Sequence, residues 1–230
     1  MNNSMTSEYL VPATTVQQVK TVVLVDYGAG NIRNVEKALE AVGVRTERTS
    51  DPATVTAADV VVMPGVGAFG DMMAALHARG LVEPIREAAH DGRPLLGICV
   101  GLQVLFEVGE EMGEHEGLGL FAGRVRRFEV PHLKVPHIGW NVVHPAVEHP
   151  LFEGLARGDY AYFVHSYHAV PDDPSLVMAE TEYGYSFPSV CGRENVVGIQ
   201  FHPEKSQRVG LTMLRNFARW AGVWETENAG

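Results

Sequence analysis

Short, bounded apolar runs dominate the first hundred residues. Residues 21–26 (TVVLVD), 59–63 (DVVVM) and 94–98 (PLLGI) have no polar face and are short for helices, the pattern of strands buried on both sides. The run at 59–63 is expected to end at Pro64-Gly65, and 45–49 is a further expected strand. Between these runs the period changes. Ile32, Val35, Leu39 and Val42 share one face of an expected helix over 31–42, and helices are also expected at 71–79, 82–91 and 100–108. Strands alternating with helices predict βα units and a parallel sheet covered on both faces. Further on, 123–130, 160–170, 176–183, 185–191 and 196–201 read as strands joined by short turns, an antiparallel section. Leu211, Leu214, Phe217, Ala218 and Trp220 then mark the apolar side of a final helix over 207–223. The expected fold class is a single α/β domain over 20–224, its central, mostly parallel sheet flanked by helices, with an additional antiparallel section. Residues 1–19 have no sustained period and are expected to form a flexible extension, with 225–230 a C-terminal tail.

Composition narrows the function classes. Of 230 residues, 46% are hydrophobic and 20% charged, which excludes wholesale disorder. Lys plus Arg number 18 against 28 for Asp plus Glu, a formal charge of −10 that argues against nucleic acid or an anionic membrane as partner. No apolar run approaches the roughly 18 residues of a spanning helix. Two cysteines, Cys99 and Cys191, are too few for a disulfide framework, and nothing at the N-terminus reads as secretory, so a reduced, cytoplasmic setting is expected.

The chemistry concentrates around Cys99. A nucleophile elbow needs an apolar strand, a sharp turn with the nucleophile at its apex, a helix, and small residues two before and two after. Gly97 and Gly101 occupy those two positions. A helix N-terminus would favour the thiolate, and the next amide, that of Val100, would face a developing oxyanion. The plainer alternative is a small buried hydrophobe, the reading that fits Cys191, which lacks such surroundings. A base is offered by His202 in Phe201-His202-Pro203-Glu204, where Glu204 could orient the ring. The chain order nucleophile, His, acid differs from that of the α/β-hydrolases. His165 and His168, three apart on one expected strand, should lie on opposite faces, and no metal-ligand spacing is present. The segment Tyr27-Gly28-Ala29-Gly30-Asn31 lacks the third glycine and the lysine of nucleotide-binding loops, so a tight turn with Asn31 capping the next helix is expected.

Together, the elbow at 97–101 and the His-Pro-Glu motif resemble the class I (triad) glutamine amidotransferase family over residues 21–222. The resemblance implies that Cys99 attacks the side-chain amide carbon of glutamine, while His202, oriented by Glu204, protonates the leaving ammonia and then activates water. It places a second oxyanion donor, Val66 or Gly67, beside Val100. It assigns the ends of glutamine to Gln103, Glu111 and the backbone of His165, Ser166 and Tyr167, and calls for no cofactor and no metal. Residues 26–31, 64–69, 135–141, 162–167 and 204–206 further resemble a branch of the family whose glutaminase hands ammonia to a separate (β/α)8-barrel cyclase. By that resemblance Asn31, Trp140 and Lys205 face the partner. Ammonia freed into water at neutral pH would be protonated and lost as a nucleophile, which is why a partner is needed. A glutaminase serving anthranilate, pyridoxal phosphate or guanylate synthesis, and a catalytically silent binding module, remain the alternatives.

Overall fold

The computed structural model describes residues 20–28 and 31–224; the expected extension 1–19 and tail 225–230 lie outside the described residues. In chain order the elements are β1 (Val22–Val25), α1 (Ile32–Ala41), β2 (Thr46–Thr49), α2 (Pro52–Ala57), β3 (Val60–Gly65), α3 (Phe69–Ala78), α4 (Val82–His90), β4 (Leu95–Cys99) and α5 (Val100–Gln103). There follow β5 (Phe106–Gly109), β6 (His115–Glu116), β7 (Phe121–Arg127), β8 (His137–Val142), β9 (His144–Pro145), β10 (Tyr160–His165) and β11 (Tyr167–Pro171). The chain closes with β12 (Val177–Glu182), β13 (Ser186–Arg193), β14 (Val196–Ile199) and α6 (Gln207–Trp220).

Eight strands form the central sheet in the order β2-β1-β3-β4-β14-β13-β12-β9. From β2 to β14 the neighbours are parallel, and from β14 to β9 they are antiparallel, as the two halves of the hydrophobic pattern require. Strands β1, β3, β4 and β14 are buried along their whole length. Two smaller sheets, β10-β8 and β11-β7-β5-β6, complete the fold. Strand order reverses around β1, so the chain leaves β1 and β3 in opposite directions along the sheet. In open α/β sheets the crevice beyond the carboxyl ends at such a point is where ligands bind. Here that edge carries Tyr27 after β1, Val66 after β3, Cys99 at the end of β4, and His202 after β14.

Several elements depart from the sequence pattern. The expected helix over 100–108 is a single turn, because Val104, Leu105 and Phe106 are all fully buried and leave no polar face; the chain continues as β5. Strand β3 ends at Pro64-Gly65 as expected but includes both residues. The expected strand 160–170 breaks at Ser166, where the chain passes from pairing with β8 to pairing with β7. His165 and His168 therefore do not point to opposite faces: both rings pack on Phe128, with centroids 5.2 and 4.6 Å away. Asn31 does stand at the N-cap of α1, but its side chain makes no capping hydrogen bond; its carbonyl instead accepts the Asn34 N–H at 3.0 Å. Strand β8 and helix α2, the latter capped by Asp51, had no expected counterpart. No helix of the described residues is long and apolar enough to cross a membrane.

Candidate active site

The elbow at Cys99 is built by backbone packed directly on backbone. Cys99 itself has φ +57°, a region that costs a non-glycine residue energy, and it caps the one-turn helix α5. A Cβ at Gly97 would lie 2.5 Å from the Gly101 carbonyl oxygen, and one at Gly101 would overlap the carbonyl oxygen of Met63. The same holds for Gly65, whose Cβ would overlap the Gly101 amide. The two glycines flanking Cys99 are thus needed sterically, and Gly65 is a third that no local spacing announced.

His202 is positioned by the turn that follows β14. Its N–H donates to Tyr162 O at 2.9 Å, and its carbonyl accepts the Ser206 hydroxyl at 2.6 Å. Gly210 lets α6 dock against that turn, since a Cβ there would overlap the Pro203 carbonyl. Nδ1 of His202 meets Glu204 Oε1 at 2.8 Å, with both side chains almost wholly buried. The other carboxylate oxygen of Glu204 is buried with no hydrogen-bond partner. Burial alone would lower the pKa of His202, but the neighbouring Cys99 and Glu204 outweigh that and raise it to about 9. At neutral pH the ring is an imidazolium between the carboxylate and the sulfur, the charge a thiolate nucleophile needs opposite it. Cys191 differs: it is fully buried, its thiol pushed up to about 12 by desolvation, and it has no part in this site.

A cavity of about 410 Å³ opens over Cys99. It brings together Val66, Gly67, Cys99, Val100, Gln103, Glu111, His165, Ser166, Tyr167, His202 and Lys205, all singled out in the sequence, with Pro136 and Val164 added. Glu204 stands behind His202. Gln103 Nε2 donates to Tyr167 O at 2.9 Å, and Glu111 Oε2 accepts the Phe69 N–H at 2.9 Å. The Val66 N–H is already engaged: it donates at 2.9 Å to the Tyr27 hydroxyl, which is 3.3 Å from the Val66 carbonyl. Of the two candidates for a second oxyanion donor, Gly67, at φ +88°, is the one left without that bond.

Asn31 and Trp140 do not line the cavity. Trp140 is 47% and Ile138 60% exposed on β8. The Tyr162 ring links Trp140 (6.0 Å between centroids) to Lys205 (Nζ 5.8 Å from the centroid), so these two form one exposed strip reaching the cavity rim. Asn31 is exposed at the start of α1, which packs against the turn Pro203–Lys205. Among the described residues no cluster of three or more His, Cys, Asp or Glu side chains could hold a metal ion. Sequence reasoning missed Tyr27, His137 and Gln200. A glutamine inside an apolar strand run was the one available signal for Gln200.

The family model for glutamine amidotransferase class-I matches residues 23–220. The chain is 50% identical over 213 residues to the imidazole glycerol phosphate synthase subunit HisH of Salinibacter ruber, covering 90% of this chain and 96% of that protein. To the subunit of the same name from Symbiobacterium thermophilum it is 52% identical over 198 residues, covering 86% and 93%. Among solved structures, a glutamine amidotransferase superposes with a TM-score of 0.69 at 20% identity, over 87% of this chain and 99% of that one. Another glutamine amidotransferase, from Thermotoga maritima, gives 0.65 at 15%, over 88% and 98%. At such identities the solved structures show the fold alone.

Proposed function

The chain belongs to the class I glutamine amidotransferase family, and from that premise we propose that it is the glutaminase subunit of an imidazole glycerol phosphate synthase. It hydrolyses glutamine to glutamate and ammonia and passes the ammonia to a cyclase subunit, which makes imidazole glycerol phosphate and aminoimidazole carboxamide ribotide in histidine biosynthesis. The observation that carries the reading is Cys99 on a strained elbow at the floor of a cavity sized for a small molecule, which it shares with a His202 held by Glu204 at 2.8 Å.

The steps follow from these groups. The Cys99 thiolate adds to the amide carbon, and the oxyanion is met by the backbone of Val100 and, once the peptide presents its N–H, of Gly67. The His202 imidazolium gives its proton to the leaving nitrogen, ammonia departs, and a thioester remains. The neutral imidazole then takes a proton from water as the oxygen attacks the thioester carbon, releasing glutamate and restoring thiolate and imidazolium. Gln103 and Glu111 bind the charged end of glutamine, with the carboxylate facing its ammonium, and the 165–167 backbone closes the other side.

The cyclase partner is a (β/α)8 barrel docked on the strip of Trp140 and Lys205 and on Asn31, and no cofactor takes part. The exposed apolar side chains of β8 support this placement. A cytoplasmic setting belongs to the same reading. The test measures glutamate release by the purified chain alone and with cyclase partners from each pathway. Low basal release that rises sharply with the histidine-pathway cyclase and its bound ribotide is expected. Stimulation only by an anthranilate or guanylate partner would sink the assignment.

A further inference from the structure

Gln200 is fully buried two residues before His202, and the triad makes no use of it. Its Nε2 stands 3.9 Å from Cys99 Sγ, and its Oε1 accepts from Gln103 Nε2 at 3.2 Å. Resting on the glutaminase reading above, we propose that Gln200 is a second support of the nucleophile: its side-chain amide donates to the Cys99 sulfur and is held in that orientation by Gln103, whose amide nitrogen is fixed on the Tyr167 carbonyl.

The direction of each hydrogen bond around that carbonyl follows from what each group can do. The Tyr167 carbonyl only accepts, and it takes Gln103 Nε2 at 2.9 Å and His165 Nδ1 at 2.8 Å. His165 therefore carries a proton on Nδ1. Burial holds that ring neutral, its pKa near 3, so its Nε2 is an acceptor. Nδ1 of His137 lies 3.2 Å from that nitrogen and must donate, which leaves Nε2 of His137 to accept from the Asn141 amide at 3.3 Å. Asn141 is itself fixed, since its nitrogen also donates to Glu182 O at 2.7 Å while its oxygen accepts the Val142 N–H. Reversing an amide or tautomer along this path sets two donors or two acceptors face to face. At the other end, the Gln103 amide nitrogen serves both Tyr167 O and Gln200 Oε1, and only the Gln200 N–H is left to face sulfur. The charge of His202 and the fixed dipole of Gln200 thus both favour negative charge on the sulfur.

The test reads the thiol itself: the rate of Cys99 alkylation by iodoacetamide against pH, in the full chain, followed by mass spectrometry so that Cys191 is counted separately. Gln200→Met keeps the volume and removes the donor. Gln200→Glu replaces the donor with an acceptor. The midpoint is expected to rise by about one pH unit in Gln200→Met, a tenfold lower reactive fraction at a given pH, and further in Gln200→Glu. The turnover number with glutamine should fall about tenfold alongside. An unchanged midpoint in a Gln200→Met chain that melts as a folded protein overturns the proposal. If Gln200→Met does not fold, Gln200→Glu decides, since it keeps the shape of the side chain and removes the donor. A raised midpoint in that variant supports the proposal and an unchanged one overturns it. Absence of glutaminase activity in the unsubstituted chain with its cyclase would sink the proposed function, yet the alkylation profile would still judge Gln200.

Discussion

Cys99 combines burial, a left-handed backbone and a neighbouring histidine whose pKa is raised, so its substitution should separate chemistry from fold. Cys99→Ala is expected to reduce glutamate release at least about a thousandfold with the cyclase present, while thermal melting shifts little. A glutamine-mimicking electrophile should label Cys99 and spare Cys191; equal labelling of both would contradict the site. Tyr27 is a different case. Its hydroxyl satisfies the Val66 N–H in a nearly water-free place, so Tyr27→Phe leaves that donor unpaired and should destabilise the chain by about 1–3 kcal/mol in denaturant unfolding. The triad was legible because its spacing is local: Gly97, Cys99 and Gly101 within one turn, His202 and Glu204 within another. Tyr27 was not, since it meets Val66 across 39 residues of sequence and nothing in a tyrosine announces its partner.

Among the elements, β3, β4 and α5 act as a unit because glycines let their backbones touch. Gly101→Ala forces a Cβ into the Met63 carbonyl, and either the elbow or β3 must move. A loss of about 3 kcal/mol or more in unfolding free energy, together with slower Cys99 alkylation, is expected; a fully stable, reactive variant would refute this packing. The β8–β10 pair shows where pattern reading stops. Strand β8 presents Ile138 and Trp140 to solvent and His137 to the core, so its apolar residues face outward and a reader expecting them inside finds no strand there. By the proposed docking, Trp140→Ala should weaken cyclase binding about tenfold or more by titration, with melting of the isolated chain unchanged within about 0.5 kcal/mol. The misread helix at 100–108 has a related cause: an apolar run with no polar face reads alike as a buried helix or a buried strand, and only pairing with β7 decides between them.

For the whole molecule, the histidines set opposite limits on stability against pH. His202 is raised to about 9, so its contribution is complete below the unfolded value of 6.5 and is lost as pH climbs through 9. His165 and His137, lowered by burial to about 3 and about 4, stay neutral while the unfolded chain takes up protons below 6.5. Each such histidine changes stability by about 1.4 kcal/mol per pH unit inside its window. Melting temperature should therefore peak near pH 6.5 and fall on both sides. His202→Asn should flatten the alkaline limb and His137→Phe should ease the acid limb; a limb unaffected by its substitution would reject the assignment.

At this scale the division of labour is plain. The amino-acid sequence by itself determined the parallel βα half and the antiparallel second half and pointed to the proposed nucleophile and base, because burial on both faces, helical period and tight turns are local properties of the chain. Tertiary structure alone decided that Tyr27 occupies the Val66 N–H, that Trp140 and Lys205 share one strip, and that hydrogen bonds from β8 and from Gln103 converge on the Tyr167 carbonyl, with Gln200 set between Gln103 and Cys99. Those contacts join segments brought together by sheet order and by the break at Ser166, and a hydrogen bond between distant segments leaves no periodic mark in either of them.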